Sequence, residues 1–306
     1  MAAALALAQT FESHRGHLLA VGYRLTGSVT DAEDAVQESW LRLVTVEPDE
    51  IRDLRGWLTT VVGRICLDRL RSAAIRRESY VGQWLPEPVV APLSSSYEPD
   101  PLQVVVADED NRLAALVVLD TLTPAQRVAF VLHDAFSVPF DEIADILGIT
   151  IETARKLASR ARKAVSATPP AVPRDEHTAA VERFLAAMAS GDMAAVIAAL
   201  HPDARTTGDA NGTTSTAINI VTGAVKIARF FMGLAEKFGR DPLLSYTPVM
   251  VNGELGMYQP GTAGDADHPP IPSRVMGFTV RDGLVAATYD MANPEKLSGV
   301  RLREGR

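Results

Sequence analysis

Residues 139–163, PFDEIADILGITIETARKLASRARK, constrain this chain more than any other stretch, because their spacing admits two short helices joined by a turn. Ile143, Ala144 and Leu147 line one side of the first helix, and Ala154, Leu157 and Ala161 line the second. Between them Gly148-Ile149-Thr150 forms the turn: glycine tolerates positive φ, Ala144 permits close crossing, and the Thr150 hydroxyl can cap the second helix. Arg155, Lys156, Arg160, Arg162 and Lys163 stand against the single Glu152 there, a local charge of about +4 that favours DNA phosphates. The pattern suggests a recognition helix in a major groove, while an ordinary helical hairpin with a solvated basic face would show the same residues.

The 306 residues, 47% hydrophobic, suffice for two or three domains with buried cores. No apolar run approaches the roughly 20 residues needed to span a bilayer, and the opening MAAALALAQTF lacks the basic flank and cleavage pattern of a signal peptide. The expected location is the cytoplasm, away from membranes. Cys66 is the lone cysteine, inside a helical pattern, so a buried apolar thiol is expected rather than a disulfide or thiolate zinc site. The six histidines show no metal-ligand spacing; neither a metal nor a cofactor is expected.

Net charge is −8, an odd balance for a protein that must find DNA unaided. Its distribution matters more. Arg64, Arg69, Arg71, Arg76 and Arg77 face only Asp68 within residues 64–77, the helix-turn-helix is a second basic island, and residues 83–111 contain six acids and no Lys or Arg.

Up to about Gly82 the chain reads as all helix. Leu18, Val21 and Leu25 keep helical spacing, and Thr30 with Glu33 predicts a capping box opening a helix whose stripe is Ala32, Ala35, Val36, Trp40 and Leu43. Trp57, Leu58, Val61, Val62 and Ile65 start a third helix that ends strongly basic. Residues 82–101 hold five prolines and three serines, and Trp84 between them favours a segment docked on a surface over a free linker. Helical spacing then resumes, and Thr123-Pro124-Ala125-Gln126 marks a capped helix start. From about Asp175 two helices broken at Ser190-Gly191-Asp192 precede strand-like runs, with hairpin signals at Asn211-Gly212, Asn252-Gly253 and Asp282-Gly283 around a helix at 225–238. A curved sheet over helices would leave a concave pocket.

Taken together, LTGSVTDAEDAVQESWLRL, LRGWLTTVVGRICLDRLRSAAIRRE and LTPAQRVAFVLHDAFSVPFDEIADILGITIETARKLASRARK resemble regions 2.1–2.2, 2.3–2.4 and 4 of an extracytoplasmic-function RNA polymerase sigma factor. The resemblance covers about the first 165 residues. It implies that Asp31, Glu33, Asp34, Gln37 and Glu38 dock on the β′ clamp helices of core polymerase. It implies that the loop 45–54 with Arg64, Asp68, Arg69, Arg71, Arg76 and Arg77 holds the melted −10 element, as a shaped loop flanked by cations can. Trp57 falls in the family's WL motif and is expected in the core. Region 4 would read the −35 element of promoter DNA through Glu152, Thr153, Arg155, Lys156, Ser159 and Arg160, arginine and lysine suiting guanine edges or phosphates and Glu152 a cytosine.

The start of the last domain, VERFLAAMASGDMAAVIAALHPDA, is similar to SnoaL-like domains, a cone-shaped α+β fold. A subgroup of these sigma factors carries such a domain together with a WLPEP linker, a DGGGK-type loop and an NPDKL-type tail. Here Trp84, Leu85, Pro86, Glu87 and Pro88 keep the linker motif, and Asn293, Pro294, Glu295, Lys296 and Leu297 keep the tail with one change. The loop, Asp209-Ala210-Asn211-Gly212-Thr213, loses the lysine.

The expected organisation is multidomain: region 2 over residues 1–82, a linker over 83–105, an all-α region 4 over 106–168 and an α+β SnoaL-like regulatory domain over 175–306. The leading reading is a non-enzymatic promoter-specificity subunit regulated in cis through Trp84–Glu87, Asp209 and Asn293–Leu297. Two others stand beside it. A ligand-sensing repressor would use the same pocket for a small molecule, and a cyclase- or isomerase-type enzyme would draw on His201, Asp209, Tyr258, His268 or Asp290, none forming a dyad in sequence. Asp209, beside Asn211-Gly212, reads more simply as a turn residue.

Overall fold

The computed structural model describes residues 2–47, 51–77, 79–93, 111–166 and 170–300. The chain divides into two compact units, one of residues 1–78, 99–111 and 115–168, the other of residues 79–98, 112–114 and 169–306. The rest of the loop at Glu47–Glu50, most of the acidic connector and the helical pattern over 102–110 lie outside the described residues.

In the first unit, α1 (Ala2–Thr26), α2 (Val29–Leu43) and α3 (Leu54–Arg77) pack through Leu18, Val21, Leu25, Ala32, Ala35, Val36, Leu58 and Val62, all fully buried. The cap of α2 differs from the expected Thr30–Glu33 box. Left-handed Gly27 ends α1 so abruptly that Ser28, in extended conformation, already caps the next helix by accepting from the Asp31 amide at 3.1 Å. Trp57 is half-buried rather than sealed in the core, and Trp40 rests on Phe11 with ring centroids 5.0 Å apart. Cys66 is buried, which pushes its thiol up to about 12 and leaves it inert.

His17 holds α1 to α3. Arg55 can only donate to its Nδ1, at 3.1 Å, so the ring's other nitrogen donates to the Thr59 hydroxyl at 2.9 Å. Burial first, then the charges of Arg55 and His14, bring its pKa down to about 4. The unfolded chain therefore takes up this proton at about pH 6.5, before the folded chain does, and the neutral ring's contribution is complete above that value and lost as pH falls towards about 4. The urea midpoint should fall over this window, and less so in His17→Gln; equal slopes in both proteins would contradict the assignment.

After α4 (Leu113–Asp120), Thr123 and Gln126 close the expected capping box around α5 (Pro124–Phe130), which runs into a π-helical turn at Val131–Ala135. Arg127, 1% exposed, reaches Asp120 at 3.2 Å and the Arg24 carbonyl at 3.4 Å, so the base of α5 is bolted to the end of α1. The helix-turn-helix follows as α6 (Phe140–Leu147) and α7 (Ile151–Val165), with Thr150 capping α7. Ala158 joins Ala154 and Ala161 on the buried face, where Leu157 is only half-buried. Gly148 has φ +67, and a Cβ there would meet nothing within 4 Å. Gly148→Ala should therefore cost about 1 kcal/mol in urea unfolding, all of it backbone conformation; no change would contradict the turn.

The second unit opens with α8 (Arg174–Ser190) and α9 (Met193–Ala199), broken at left-handed Gly191 as expected, with Asp192 capping α9. Its open sheet has seven strands: β1 (Val90–Pro92), β2 (Leu200–Asp209), β3 (Val221–Thr222), β4 (Thr247–Val251), β5 (Glu254–Gln259), β6 (Arg274–Arg281) and β7 (Leu284–Met291), in the order β1-β4-β5-β6-β7-β2-β3. Asn252-Gly253 and Asp282-Gly283 make the two tight hairpins, both pairs at positive φ. Asn211-Gly212 shares that conformation but opens a long loop between β2 and β3, so it is not the expected two-residue hairpin. α10 (Ala224–Phe238) and α8 cover one face, where Phe184 meets Phe231 and Phe278 edge-on at 5.9 and 6.0 Å. Short helices α11 (Arg240–Leu244) and α12 (Pro294–Leu297) complete the unit.

Candidate functional site

The apolar stripe of α7 is spent on the helix-turn-helix core, which leaves Glu152, Thr153, Arg155, Lys156, Ser159 and Arg160 all exposed on its other side. Lys156 pairs with Glu152 at 2.7 Å along the helix, and Arg162 is drawn back to Asp134 at 2.6 Å. The Arg155 guanidinium stands 5.8 Å over the Phe140 ring, itself stacked on His133 at 3.9 Å.

On α2 and α3, Arg69 bridges Asp31 at 2.7 Å and Asp34 at 3.3 Å, joining residues the sequence reading sent to different partners. Arg64 and Gln37 are exposed, Glu33 is half-buried, Glu38 pairs with Arg42 and Arg71 with Asp68. The side chains of Arg76 and Arg77 lie outside the described residues.

The most developed polar site lies in the second unit. Strand β2 ends beside β7 with Asp209 opposite Met291, which sets the Asp209 carboxylate next to the tail that follows β7. Asp209 is fully buried, so it is no surface turn residue, contrary to the sequence reading. It accepts from the Leu85 amide at 2.7 Å, from Lys296 Nζ at 2.6 Å and from the Tyr80 hydroxyl. Lys296 also donates to the Leu85 carbonyl and lies 4.1 Å from the Trp84 ring centroid and 5.4 Å from that of Tyr80. Asn293 caps α12 and donates to Tyr80 at 3.0 Å. Burial, then the hydrogen bond to Asp209, raises the Tyr80 pKa, keeping the phenol a donor. Linker, loop and tail thus close into one clasp around a buried ion pair. Pro294 and Glu295 are exposed, though the Glu295 amide donates to Asn293 at 3.1 Å; Leu297 and Glu87 are half-buried.

A second anchorage follows. Residues 90–92 add to the sheet as edge strand β1 on β4, and Val89 and Asn252 exchange hydrogen bonds at 2.9 and 3.1 Å, the docked linker that Trp84 implied. Two residues beyond the Asn252 turn, Glu254 faces Arg112 at 3.8 Å. The β4–β5 hairpin therefore holds both ends of the segment 94–111.

Beside the clasp is a cavity of about 390 Å³, walled by the end of β2 and the loop that follows it to Ile218, the α10 side chains Phe230, Leu234, Lys237 and Phe238, and a buried pair, Arg274 with Asp290 at 2.9 Å. Among the candidates for catalysis, Asp209 is committed to the clasp, Asp290 to Arg274, His201 to Arg281 and His268 to Asp265. Tyr258, the fifth candidate, is half-buried on β5, no two of the five hydrogen-bond to each other among the described residues, and no metal-ligating cluster occurs there. No described helix is long and apolar enough to cross a membrane.

Comparison with known proteins places this geometry. Residues 10–75 match the sigma-70 region 2 family and residues 112–165 the sigma-70 region 4 family. The chain belongs to the extracytoplasmic-function RNA polymerase sigma factors and directs promoter-specific transcription initiation. It is 52% identical over 300 residues to the ECF RNA polymerase sigma factor SigJ of Mycobacterium tuberculosis, covering 97% of this chain and 95% of that one. It is 36% identical to the probable ECF sigma factor SigI of the same organism over 63% of this chain and 66% of that one. A crystal structure of M. tuberculosis SigJ superposes with a TM-score of 0.83 at 49% identity, covering 97% of this chain and all of that one.

Sequence reasoning missed Tyr80, Arg112, Glu254 and Arg274, and read Asn252 as a hairpin residue without its bonds to Val89. Their partners lie 16 to 213 residues away wherever they bond beyond their own strand, a separation that no local period reports.

Proposed function

We propose that the second unit regulates the sigma regions in cis by governing the reach of the linker. The observation that carries this reading is the double anchorage: residues 80–92 are fixed by the clasp and β1, and Arg112 by the same hairpin that seats β1. Promoter elements near −10 and −35 lie about 25 base pairs apart, roughly 85 Å at 3.4 Å per pair. Residues 94–110 alone extend to about 60 Å, whereas the whole stretch from 78 to 111 extends to about 110 Å. Releasing the clasp and β1 together therefore lengthens the reach from region 2 to region 4.

In this reading α7 reads the −35 element through Glu152, Thr153, Arg155, Lys156, Ser159 and Arg160, and the basic end of α3 follows the −10 strand. The acidic face of α2 docks on the β′ clamp helices, and Arg69 exchanges Asp31 and Asp34 for DNA when they do. The chain works without catalysing a reaction of its own, in the cytoplasm where core polymerase meets DNA. Salt titration of promoter binding by the reconstituted holoenzyme tests the α7 assignment: Lys156→Ala should lower the salt slope by about one. An unchanged slope would remove Lys156 from the phosphate contacts.

A further inference from the structure

The 390 Å³ cavity falls in the size range of roughly 300–1,000 Å³ typical of small-molecule sites, and its chemistry is specific. One end is a buried ion pair. Asp290 Oδ2 accepts from Arg274 at 2.9 Å and from the Thr216 hydroxyl at 2.7 Å, while Arg274 also donates to the Ser215 carbonyl at 3.0 Å. Asp290 Oδ1 and Arg274 Nε are buried too, yet meet no hydrogen-bond partner among the described residues, although both residues are more than nine-tenths buried. Such groups in a folded core call for a partner. The pair is neutral as a whole, so it favours a ligand offering one donor and one acceptor rather than a net charge. The remaining wall is mainly apolar, from Phe230, Leu234, Phe238 and Ile271, with the hydroxyl residue Thr214 and with Lys237, whose Nζ lies 5.0 Å from the Phe238 ring centroid. A smaller cavity of about 50 Å³, lined by Phe184, Met257 and Met276, shares Phe230, Leu234, Arg274 and Asp290 with it.

The wall also includes the linker. Val81 and Gly82 line the cavity directly, and the Val81 amide donates to Asn211 at 3.3 Å. Gly208 at the end of β2 and Ala210 and Gly212 of the following loop line it, flanking Asp209, the centre of the clasp. A Cβ on Gly212 would sit 3.0 Å from Val81, so loop and linker are in close contact at the cavity's edge.

We propose that this cavity binds a neutral, mainly apolar ring compound whose hydroxyl or N–H donates to Asp290 Oδ1 and whose oxygen accepts from Arg274 Nε, and that occupancy holds the linker in its clasp. The regulatory part rests on the cis-regulation reading above; the site does not. The probe is 2-naphthol, flat, uncharged and bearing one hydroxyl, titrated calorimetrically into the full chain. Saturable one-to-one binding is expected, weakened roughly tenfold or more for 2-methoxynaphthalene, which lacks the donor to a charged acceptor. Naphthalene-2-sulfonate should bind no better than the methyl ether.

Leu234→Trp, which fills the cavity without touching the pair, should abolish binding. Arg274→Met with Asp290→Leu removes both charges together, so the fold survives, and it should erase the preference for the hydroxyl. Hydrogen exchange across β5–β7 verifies that each variant is folded, and exchange at residues 79–93 should slow when probe is bound. Absent binding, or binding that folded Leu234→Trp retains, overturns the site and leaves the clasp untouched. Binding without slower linker exchange overturns the coupling. Binding and slower exchange with unaltered initiation would sink cis-regulation while upholding the site.

Discussion

Asp209→Ala is expected to destabilise the second unit by about 3–5 kcal/mol, because it strands Lys296 in a site where the lysine side chain is only 8% exposed. Removing one partner of a buried pair leaves an uncompensated charge; removing both need not. Asp209→Leu with Lys296→Met should therefore fold far better than Asp209→Ala while still losing the bonds to Leu85 and Tyr80. The linker is then freed although the sheet persists. Urea unfolding followed by hydrogen exchange over residues 200–300 reads the stability, and exchange at the Leu85 amide reads the linker. If the single and double variants were equally destabilised, the cost would lie in packing and not in the ion pair.

The second large effect concerns α7. Arg155→Ala with Arg160→Ala removes two exposed cations from the helix face that faces away from the core. At about 1–3 kcal/mol for each base or phosphate contact, the pair should lower initiation from promoters with a −35 element by roughly 30-fold to 20,000-fold. Stability should hardly change, since neither side chain is buried. Undiminished initiation by holoenzyme carrying this variant would take the −35 contact away from α7.

What was legible in the sequence was what local spacing encodes. Gly148, Thr150 and the alanines of α7 specify a helix-turn-helix because a turn, a cap and a stripe are all short-range, and Thr123 with Gln126 did the same for α5. Asn252-Gly253 and Asp282-Gly283 marked real hairpins for that reason, whereas Asn211-Gly212 has the same backbone preference without strands close enough to pair across it. Thr30 and Glu33 formed a plausible box that lost to Ser28, because the preceding Gly27 turn decides where α2 begins. The clasp was half legible. The resemblance singled out Trp84, Asp209 and Lys296, but only the β2–β7 register shows that Asp209 is sealed and that Lys296 serves it. Tyr80 and Arg274 carried no signal, since a buried tyrosine or arginine has no local pattern of its own.

Linker control of reach is tested most directly by run-off transcription with core polymerase on promoters whose −10 to −35 spacing is varied one base pair at a time. Initiation by the full chain is compared with that by Asp209→Leu/Lys296→Met, whose linker release is verified by hydrogen exchange at residues 79–93. The intact clasp predicts a narrow spacing optimum for the full chain and a broader one for the variant. Superimposable spacing profiles, with the linker demonstrably released, would contradict it.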